Sequence, residues 1–444
     1  MSTRRLLGVV DSDSYVKWGA SLLSELSDGW QVELVTVDSR LAASEAQLAF
    51  ALAGTGFGAD AAPRLTLQGI VDKLNGEGHD AVFVSTSGAV AEALITTVTQ
   101  KVRPRPVIMT GLPGISSPAK YKGLFRRAQA DLFVLHSHRE IREYRQLAAE
   151  RGMTHDFVLA TLPFLRHSAT ASAAAAPAAA SAPAPAERDS IVFAAQPGVP
   201  FTLPERRLVV DWLVKTAEAH PEFRVVIKVR AQAGERQTHR EKYPYADFVP
   251  QRAPRNLVVE AGSMADHLAR AIGFVTVSST AAIEAIAAGV PSLVLTDFGV
   301  SGELINEVFV GSGLLGPARD LIAARFRNVD PRWRQENYFH DPADNDWQQQ
   351  LAAMAELRDA GLLAERPAKR RSRGGVLRRA WDRKRAFGSY DRTLLGYLAA
   401  SIGYPYLFAR ERVEALIQAA SPALDEESRE AAEPDELTAP AGRG

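Results

Sequence analysis

The sequence contains no cysteine, which excludes disulfides, thiolate metal sites and cysteine nucleophiles together. Its 52 basic and 52 acidic residues cancel, so binding of a charged partner depends on local asymmetry and not on a global field. No apolar run approaches the length of a membrane-spanning helix. The apolar run near the N-terminus is too short for a signal peptide and ends at Asp11. Together these absences predict a cytoplasmic protein.

Three common catalytic signatures are also missing from the sequence. There is no Walker-type glycine-rich loop with lysine, no His-x-x-x-His metal spacing and no Gly-x-Ser-x-Gly elbow. The glycine cluster at residues 54–58 follows a predicted helix and not a strand, so it is weak support for a dinucleotide site. We therefore expect neither a bound metal nor a cofactor.

Buried-strand patterns alternate with helical patterns along residues 6–151, and the alternation resumes at residue 190 and ends with a predicted helix from Gly302 onward. Such alternation predicts crossover helices and mainly parallel sheets. The expected fold class is α/β, with two Rossmann-like, doubly wound domains facing across a cleft. Ligands bind these sheets at the carboxyl ends of the strands, so the loops that follow the strands are the places to search for function.

Changes in composition predict the domain boundaries. Residues 168–187 are almost entirely Ala, Pro and Ser, which is typical of a mobile interdomain linker. They separate an N-terminal domain, residues 1–167, from a C-terminal domain, residues 188–365. A basic and helical extension at residues 366–422 precedes an acidic tail, residues 423–444, which we expect to be disordered.

The start of this extension, residues 366–387, contains ten basic residues and one acid. The apolar side chains Val376, Leu377, Trp381 and Phe387 are interleaved with the charges. Such a segment can bind anionic lipid headgroups, and peripheral contact with an anionic membrane at the inner face is one prediction. A solvated basic segment is the alternative. Nucleic acid is not the expected partner, because the chain as a whole is neutral.

The stretch from Val275 to Leu295 predicts a strand, a polar turn, a short Ala-rich helix, a Gly-Val-Pro turn and another strand. Ser278, Ser279 and Thr280 stand where the helix begins, and the unpaired N–H groups there make an anion site that hydroxyls complete. Glu284 follows one turn later on the side of Thr280, where it would meet a ribose diol. In the alternative interpretation the hydroxyls only cap the helix, and Glu284 is solvated.

A second group of candidate residues follows another predicted strand. Lys228 and Arg230 are alternate residues at its carboxyl end, so both side chains lie on one face at the expected ligand edge. Two cations there suit a phosphate. His239 follows in a polar turn, where an imidazole could donate to a phosphate oxygen or exchange a proton. A structural or merely exposed histidine is the alternative.

Candidates for a general base lie in the first domain. Asp11 and Asp13 directly follow the first predicted strand, and His136 follows a later one. A carboxylate or imidazole within hydrogen-bond reach of an acceptor hydroxyl can remove its proton. Ordinary helix capping is the alternative role for the aspartates.

The two domains, the Lys-x-Arg strand end and a Ser-Ser-Thr-x-x-x-Glu-x-x-x-x-Gly-x-Pro signature at residues 278–291 together resemble a GT-B glycosyltransferase. The closest likeness is to an actinobacterial family of unknown specificity, of the DUF6716 type. That family is itself similar to capsule polysaccharide and polyol-phosphate transferases. The resemblance covers residues 4–350 approximately and implies a nucleotide donor in the second domain and an acceptor in the first.

This resemblance implies metal-independent transfer of a sugar or polyol phosphate from a nucleotide-activated donor to a cell-envelope glycan or lipid-linked acceptor. The three hydroxyls would receive the donor phosphate, and Glu284 would meet the ribose. Lys228, Arg230 and His239 would stabilise the departing nucleotide phosphate. Asp13 is the preferred base ahead of Asp11 and His136, which the resemblance does not separate further.

The sequence departs from better-known GT-B enzymes because it has no second ribose-binding glutamate shortly after Glu284. The donor therefore stays open among a cytidine monophosphate sugar, a nucleoside diphosphate sugar and a nucleotide-activated polyol. Two other functions also fit the scaffold. One is a non-catalytic or nucleic-acid-binding protein, and the other is a sugar-nucleotide epimerase, which shares the two-domain cleft.

Overall fold

A computed structural model describes residues 3–58, 60, 62–163, 165, 188–196, 198–229, 243–366, 375–409 and 412. The chain divides into two compact units, Met1–Lys369 and Arg370–Gly444. The predicted linker and the predicted acidic tail lie outside the described residues. The domain boundaries therefore stay a prediction.

The first sheet contains seven parallel strands among the described residues. They are β1 (Arg4–Val10), β2 (Trp30–Val37), β3 (Arg64–Leu65), β4 (Ala81–Ser85), β5 (Val107–Gly111), β6 (Leu132–Leu135) and β7 (Asp156–Leu159). Their order is β3-β2-β1-β4-β5-β6-β7. The helices of this half are α1 (Asp13–Leu23), α2 (Glu45–Leu52), α3 (Leu67–Glu77), α4 (Gly88–Lys101), α5 (Tyr121–Arg126) and α6 (His138–Glu150).

The second sheet is built in the same way, with six parallel strands in the described part of the chain. They are β8 (Ser190–Ala194), β9 (Arg224–Lys228), β10 (Leu257–Glu260), β11 (Ala271–Thr276), β12 (Ser292–Leu295) and β13 (Leu315–Gly316), in the order β10-β9-β8-β11-β12-β13. The accompanying helices are α7 (Leu203–Ala219), α8 (Met264–Ala269), α9 (Ala281–Ala287), α10 (Ala318–Ile322), α11 (Pro331–Glu336) and α12 (Trp347–Asp359). We call residues 4–159 the first half and residues 190–316 the second half.

Local sequence explains why these elements form. Every residue of β4 and of β8 is buried, as expected for parallel strands covered by helices on both faces. Ser44 and Thr202 each begin a helix with a capping box, in which the hydroxyl accepts from the N3 backbone N–H and the N3 side chain reaches back. The two doubly wound α/β sheets predicted from the sequence are confirmed.

The predicted helix from Gly302 onward is wrong. Residues 302–305 form turns, and a 3-10 helix follows at Glu307–Phe309. The Asn306 side chain closes the turn, because it accepts from Ser301 N at 3.0 Å and donates to Gly299 O at 3.0 Å. Local side-chain hydrogen bonds of this kind compete with a helix. The two-residue edge strands β3 and β13 were not predicted either, since so short a stretch shows no alternation.

The chain crosses between the halves twice and exchanges core residues each time. Leu162 and Leu165, which follow β7, lie in the core of the second sheet. Trp347 and Leu351 of α12 return to the core of the first sheet. The halves are therefore interlocked parts of one compact unit.

The two crossing segments also bond to each other. Leu159 N donates to Asp346 Oδ1 at 2.7 Å, and Thr161 N donates to Asn345 Oδ1 at 2.8 Å. Asn345 Nδ2 returns a bond to Thr161 Oγ1 at 3.0 Å. Paired segments leave less freedom for the halves to twist than a single connection would.

The second unit contains two helices among its described residues, α13 (Gly375–Phe387) and α14 (394–409). Its small apolar core joins Ala380, Trp381, Ala399 and Ala400. Among the helices that the structure describes, none is long and apolar enough to cross a membrane.

Asp131 ties the end of the first unit to the first sheet, and its substitution tests this connection. The buried carboxylate accepts from Arg105 at 2.7 Å, from Arg366 at 2.9 Å and from Ile108 N at 2.8 Å. We expect Asp131→Asn to lower the free energy of unfolding by about 3 kcal/mol, because two partly buried guanidinium groups lose their counterion. Chemical denaturation measures this loss.

Glu336→Gln is the matched control, since the Arg142–Glu336 pair is exposed. Its cost should stay within about 1 kcal/mol. Equal losses in the two variants would contradict a structural role for Asp131.

Candidate functional site

The carboxyl edges of the two sheets face each other. Gly114, in the loop after β5, lies against Thr280 at the start of α9, and a Cβ built on Gly114 would sit 3.1 Å from Thr280 Cγ2. Gly302, in the loop after β12, lies against Pro118, with 3.1 Å from its built Cβ to Pro118 Cγ. Loops that follow strands of both sheets therefore meet in one region, as the sequence predicts for a ligand site.

The hydroxyl triplet lies at this meeting place, but its members differ in their surroundings. Ser278 is buried and its hydroxyl donates to Gln196 Oε1 at 2.8 Å. Ser279 is also buried, and its Oγ accepts from Ala281 N at 3.2 Å. Thr280 is partly exposed and faces the first half. The structure thus uses two of the three hydroxyls to shape the turn and leaves Thr280 at the edge between the halves.

Glu284 lies one turn into α9 and is half-buried. Burial raises the pKa of its carboxyl, and the ammonium groups of Lys17 and Lys228 oppose the rise in the pKa. Lys17 belongs to α1 of the first half, whereas Lys228 ends β9 of the second. The Glu284 carboxyl therefore interacts electrostatically with one cation from each half.

Lys228 is nearly buried at the carboxyl end of β9. Its Nζ donates to the carbonyl oxygen of Val229 at 2.9 Å. Arg230 and His239, the other predicted phosphate ligands, lie outside the described residues. The structure thus brings Lys228 together with Glu284 and the triplet.

The family comparison decides the class of this protein. The family described as Putative glycosyltransferase (DUF6716) matches residues 6–354. The chain belongs to this glycosyltransferase family. No curated protein matches it.

Solved structures agree with this family in architecture. UDP-GlcNAc 2-epimerase from Neisseria meningitidis, bound to UDP-GlcNAc, is 12% identical with a TM-score of 0.50, over 80% of this chain and 100% of that one. S. aureus MnaA, solved with UDP, is 13% identical with a TM-score of 0.52, over 83% and 100%. Anabaena HepE, in complex with UDP and glucose, is 12% identical with a TM-score of 0.43, over 81% and 99%. At these identities the likeness to the Neisseria and S. aureus proteins, whose TM-scores are 0.50 and 0.52, shows the fold alone, which is GT-B.

Asp11, one of the three candidate bases of this family member, is fully buried. Its Oδ2 accepts from Ser87 N at 2.8 Å and its Oδ1 from Ser12 N at 2.6 Å. Burial raises the pKa of Asp11, and these N–H groups oppose the rise in the pKa. The carboxylate joins the ends of β1 and β4, so the structure does not support Asp11 as the base.

His136 is also fully buried, and both ring nitrogens are engaged. Trp18 Nε1 donates to Nε2 at 2.8 Å, and Nδ1 donates to Ala160 O at 2.8 Å. This arrangement requires the neutral tautomer with its proton on Nδ1. The imidazole holds α1 to β6 and the first crossover, and the structure does not support it as a base.

Asp13, the preferred candidate base, differs from Asp11 and His136 in that it is not fully buried. It is half-buried in the first turn of α1, four residues before Lys17. Residues at this spacing lie on one side of a helix, so Asp13 shares the side of α1 that carries Lys17.

Several residues that shape the site were missed in the sequence. Lys17 could have been found in the sequence, because it lies one helical turn after the candidate base Asp13 and so on the same side of the predicted helix. Arg206 of α7 is buried and donates to Gln196 O at 2.8 Å, to Pro200 O at 3.0 Å and to Tyr243 O at 2.8 Å. A cation that binds three loop carbonyls has no local signature, since its partners are distant in the chain.

A buried contact between the halves was missed for the same reason. Glu140 of α6 accepts from Ser116 N at 2.8 Å, from His136 N at 3.0 Å and from Tyr338 Oη at 2.7 Å. Burial raises the pKa of Glu140. Because Tyr338 lies in the second core, this carboxylate joins the loops of the first half to the second half.

One group among the described residues has metal-like spacing. Ligand atoms of Glu33, Glu77 and His79 lie within 4.8 Å of one another. Arg5 and Lys73 bind the same two carboxylates at distances from 2.6 to 2.8 Å. His79 precedes β4, at the edge of the sheet opposite the site. The group is an ion-pair network and not part of the ligand edge.

The neutral imidazole of His136 predicts a dependence of stability on pH. Burial lowers its pKa from 6.5 to about 4, and His340 contributes to the lower pKa. Between these values the unfolded chain binds the proton and the folded chain does not. Stability from His136 is thus fully present above the unfolded pKa and is lost as pH falls toward the folded pKa. The loss should be about 3 kcal/mol.

His136→Gln keeps an acceptor and a donor but does not titrate in this range. Unfolding free energies of wild type and variant, measured from neutral pH to about pH 4, should converge in acid. Parallel curves would show that His136 does not carry this dependence.

The contact between the edges can be tested at Gly114, which has φ +77. Gly114→Ala adds backbone strain and also a Cβ against Thr280. Gly56→Ala is the control, because Gly56 has φ +78 and nothing within 4 Å of its built Cβ. Each variant should lose about 1 kcal/mol to strain. Gly114→Ala should lose about 1 kcal/mol more, since the contact is too tight. Equal losses in denaturation would argue that the edges do not touch.

Proposed function

We propose that this chain is a metal-independent glycosyltransferase that moves a sugar or polyol phosphate from a nucleotide-activated donor to a cell-envelope glycan or lipid-linked acceptor. The observation that carries the proposal is the Lys17, Glu284 and Lys228 cluster at the facing sheet edges. Family membership supplies the reaction class.

The cluster can bind the two polar parts of a nucleotide donor. Lys228 is the phosphate ligand, because an ammonium group in a nearly buried position gives strong charge-assisted hydrogen bonds. Glu284 accepts hydrogen bonds from ribose hydroxyls, with Thr280 beside it. Arg230 and His239 complete the phosphate site in this proposal.

The same groups favour the transfer step. The bond that breaks joins the leaving phosphate oxygen to the donor carbon in sugar transfer, or to the donor phosphorus in polyol-phosphate transfer, and its electron pair moves to the leaving phosphate. Lys228 stabilises this developing charge, which is the role a metal has in other transferases. Lys17 reaches the site from the first half, so it adds positive charge only while the halves are close.

Asp13 is the base in this proposal. Its carboxylate takes the proton from the acceptor hydroxyl as the acceptor oxygen forms its bond to the donor carbon in sugar transfer, or to the donor phosphorus in polyol-phosphate transfer. With Asp13 of α1 as the base, the acceptor in this proposal binds in the first half, opposite the donor.

A uridine nucleotide is the first donor to test. The Neisseria enzyme is bound to UDP-GlcNAc, and S. aureus MnaA was solved with UDP. Their likeness to this chain also favours a second candidate function, epimerisation of a sugar nucleotide. An epimerase converts its substrate without an acceptor, so product analysis of the sugar nucleotide alone distinguishes the two reactions.

Peripheral contact with an anionic membrane belongs to the same proposal, because a lipid-linked acceptor lies at a bilayer surface. A position at the inner face of the membrane then follows from a cytoplasmic donor.

Thermal unfolding with nucleotides tests the donor site. A ligand that binds only the folded chain raises the unfolding temperature, and we expect UDP or a UDP-sugar to do so. Lys228→Met should weaken binding by roughly tenfold to a hundredfold, because one charge-assisted bond to phosphate is lost. Calorimetric titration gives the dissociation constants.

Lys215→Met is the matched control, since Lys215 is exposed on α7 and pairs with Asp211. It should leave the dissociation constant unchanged. If no nucleotide shifts the unfolding of the wild type, or if both variants bind alike, the donor site proposed here is wrong.

A further inference from the structure

Most large apolar side chains of helix α14 lie on its exposed side and not on the side that packs against α13. Its inner side is made of Gly396, Ala399, Ala400 and Gly403, which are buried or nearly so. These small residues pack on Trp381 of α13, and a Cβ built on Gly403 would lie only 2.4 Å from that ring. The large apolar residues of the helix are therefore turned outward.

The outer side of α14 is rich in leucine and aromatic residues. Leu394 is 87% exposed, Ile402 62% and Tyr406 68%. Other exposed members are Leu395, Leu398 and Phe408, whereas the partly exposed Tyr397 and Tyr404 contact Lys384 and Trp381 of α13. No charged residue occurs from 393 to 409. A contiguous apolar face of this kind marks an interaction surface.

Helix α13 supplies positive charge beside this face. It contains five basic residues and one acid. Arg378, Arg379 and Arg385 are exposed. Trp381 and Phe387, two of the apolar side chains interleaved with these charges, are buried. The apolar surface comes from α14, and α13 provides the charges.

Charge distinguishes between the surfaces that could cover α14. In a symmetric pair of chains the same patch meets itself, so the basic side chains of two α13 helices would approach each other and repel. An anionic bilayer instead attracts them. Tyrosines among leucines are typical of a membrane interface. The described helices are too short or too polar to span, so α14 would lie in the interface plane.

We propose that residues 375–409 form a membrane anchor, in which the outer face of α14 enters the interface of an anionic bilayer and α13 contacts its headgroups. The inference rests on the proposed function for its choice of a membrane as partner, because the acceptor proposed there is lipid-linked. Its physical basis is the exposed apolar face together with the adjacent charge.

Vesicle binding by the full chain tests the anchor. The protein should sediment with phosphatidylcholine vesicles that contain phosphatidylglycerol, and far less with phosphatidylcholine alone. Leu398→Asn with Ile402→Asn should weaken binding by roughly a hundredfold, because two large apolar side chains no longer leave water. Arg378→Gln with Arg379→Gln should weaken it by roughly thirtyfold and reduce its salt dependence.

Leu208→Asn with Leu357→Asn is the matched control, since both leucines are exposed on helices of the first unit. This control should bind vesicles as the wild type does. Failure of the wild type to bind anionic vesicles, or equal binding by the α14 variant, overturns the proposal. A concentration-dependent dimer that the α14 variant abolishes also overturns it, because a second copy then covers the face.

The nucleotide-induced thermal shift separates this inference from the transferase proposal. The α14 variant should keep the shift while it loses vesicle binding. Vesicle binding without any nucleotide shift would leave the anchor standing and remove the donor site. A nucleotide-induced shift without vesicle binding would support the donor site and overturn the anchor.

Discussion

The electrostatic interaction of one carboxyl group with ammonium groups from both halves is the interaction on which the candidate site depends. Glu284 belongs to a short helix of the second half, Lys228 to a strand of the same sheet, and Lys17 to the first helix of the other half. A half-buried charge is costly unless opposite charge lies near it. The compensation of this charge therefore requires that the sheet edges stay together. It brings one carboxyl group and two ammonium groups to the region where the edges meet.

The rest of the first unit holds those edges in place. The two crossovers exchange core residues and bond to each other through Asn345 and Asp346. Glu140 joins the loops of the first half to Tyr338 of the second core. Two buried groups that could have acted as bases, Asp11 and His136, instead join strand ends through well-satisfied hydrogen bonds. Rigid support of this kind preorganises a polar site, because little is left to rearrange when charge develops.

In the second unit, small residues of α14 are buried and most of its large apolar residues are exposed. Its helices touch through small residues around Trp381 and leave large apolar side chains of α14 in water. A single exposed leucine is common on protein surfaces. A contiguous apolar face beside a basic helix is unusual on a surface that faces only water. In the proposed function the two sheet edges would bind the donor and the acceptor, and helices α13 and α14 would contact the membrane.

The sequence by itself determined the elements and their class, because apolar periodicity, capping residues and the carboxyl-edge rule are local signals. It also placed Lys228, the hydroxyl triplet and Glu284 at strand ends. It failed at Gly302, where side-chain hydrogen bonds made turns, and although it ranked Asp13 ahead of Asp11 and His136, it could not show that the last two are fully buried, because all three look alike as polar residues after strands. Only the tertiary structure showed which of these residues are buried. It also showed that Lys17 interacts electrostatically with Glu284 and that Trp381 is buried between α13 and α14. Burial and charge partners depend on residues far apart in the chain, and no local pattern records them.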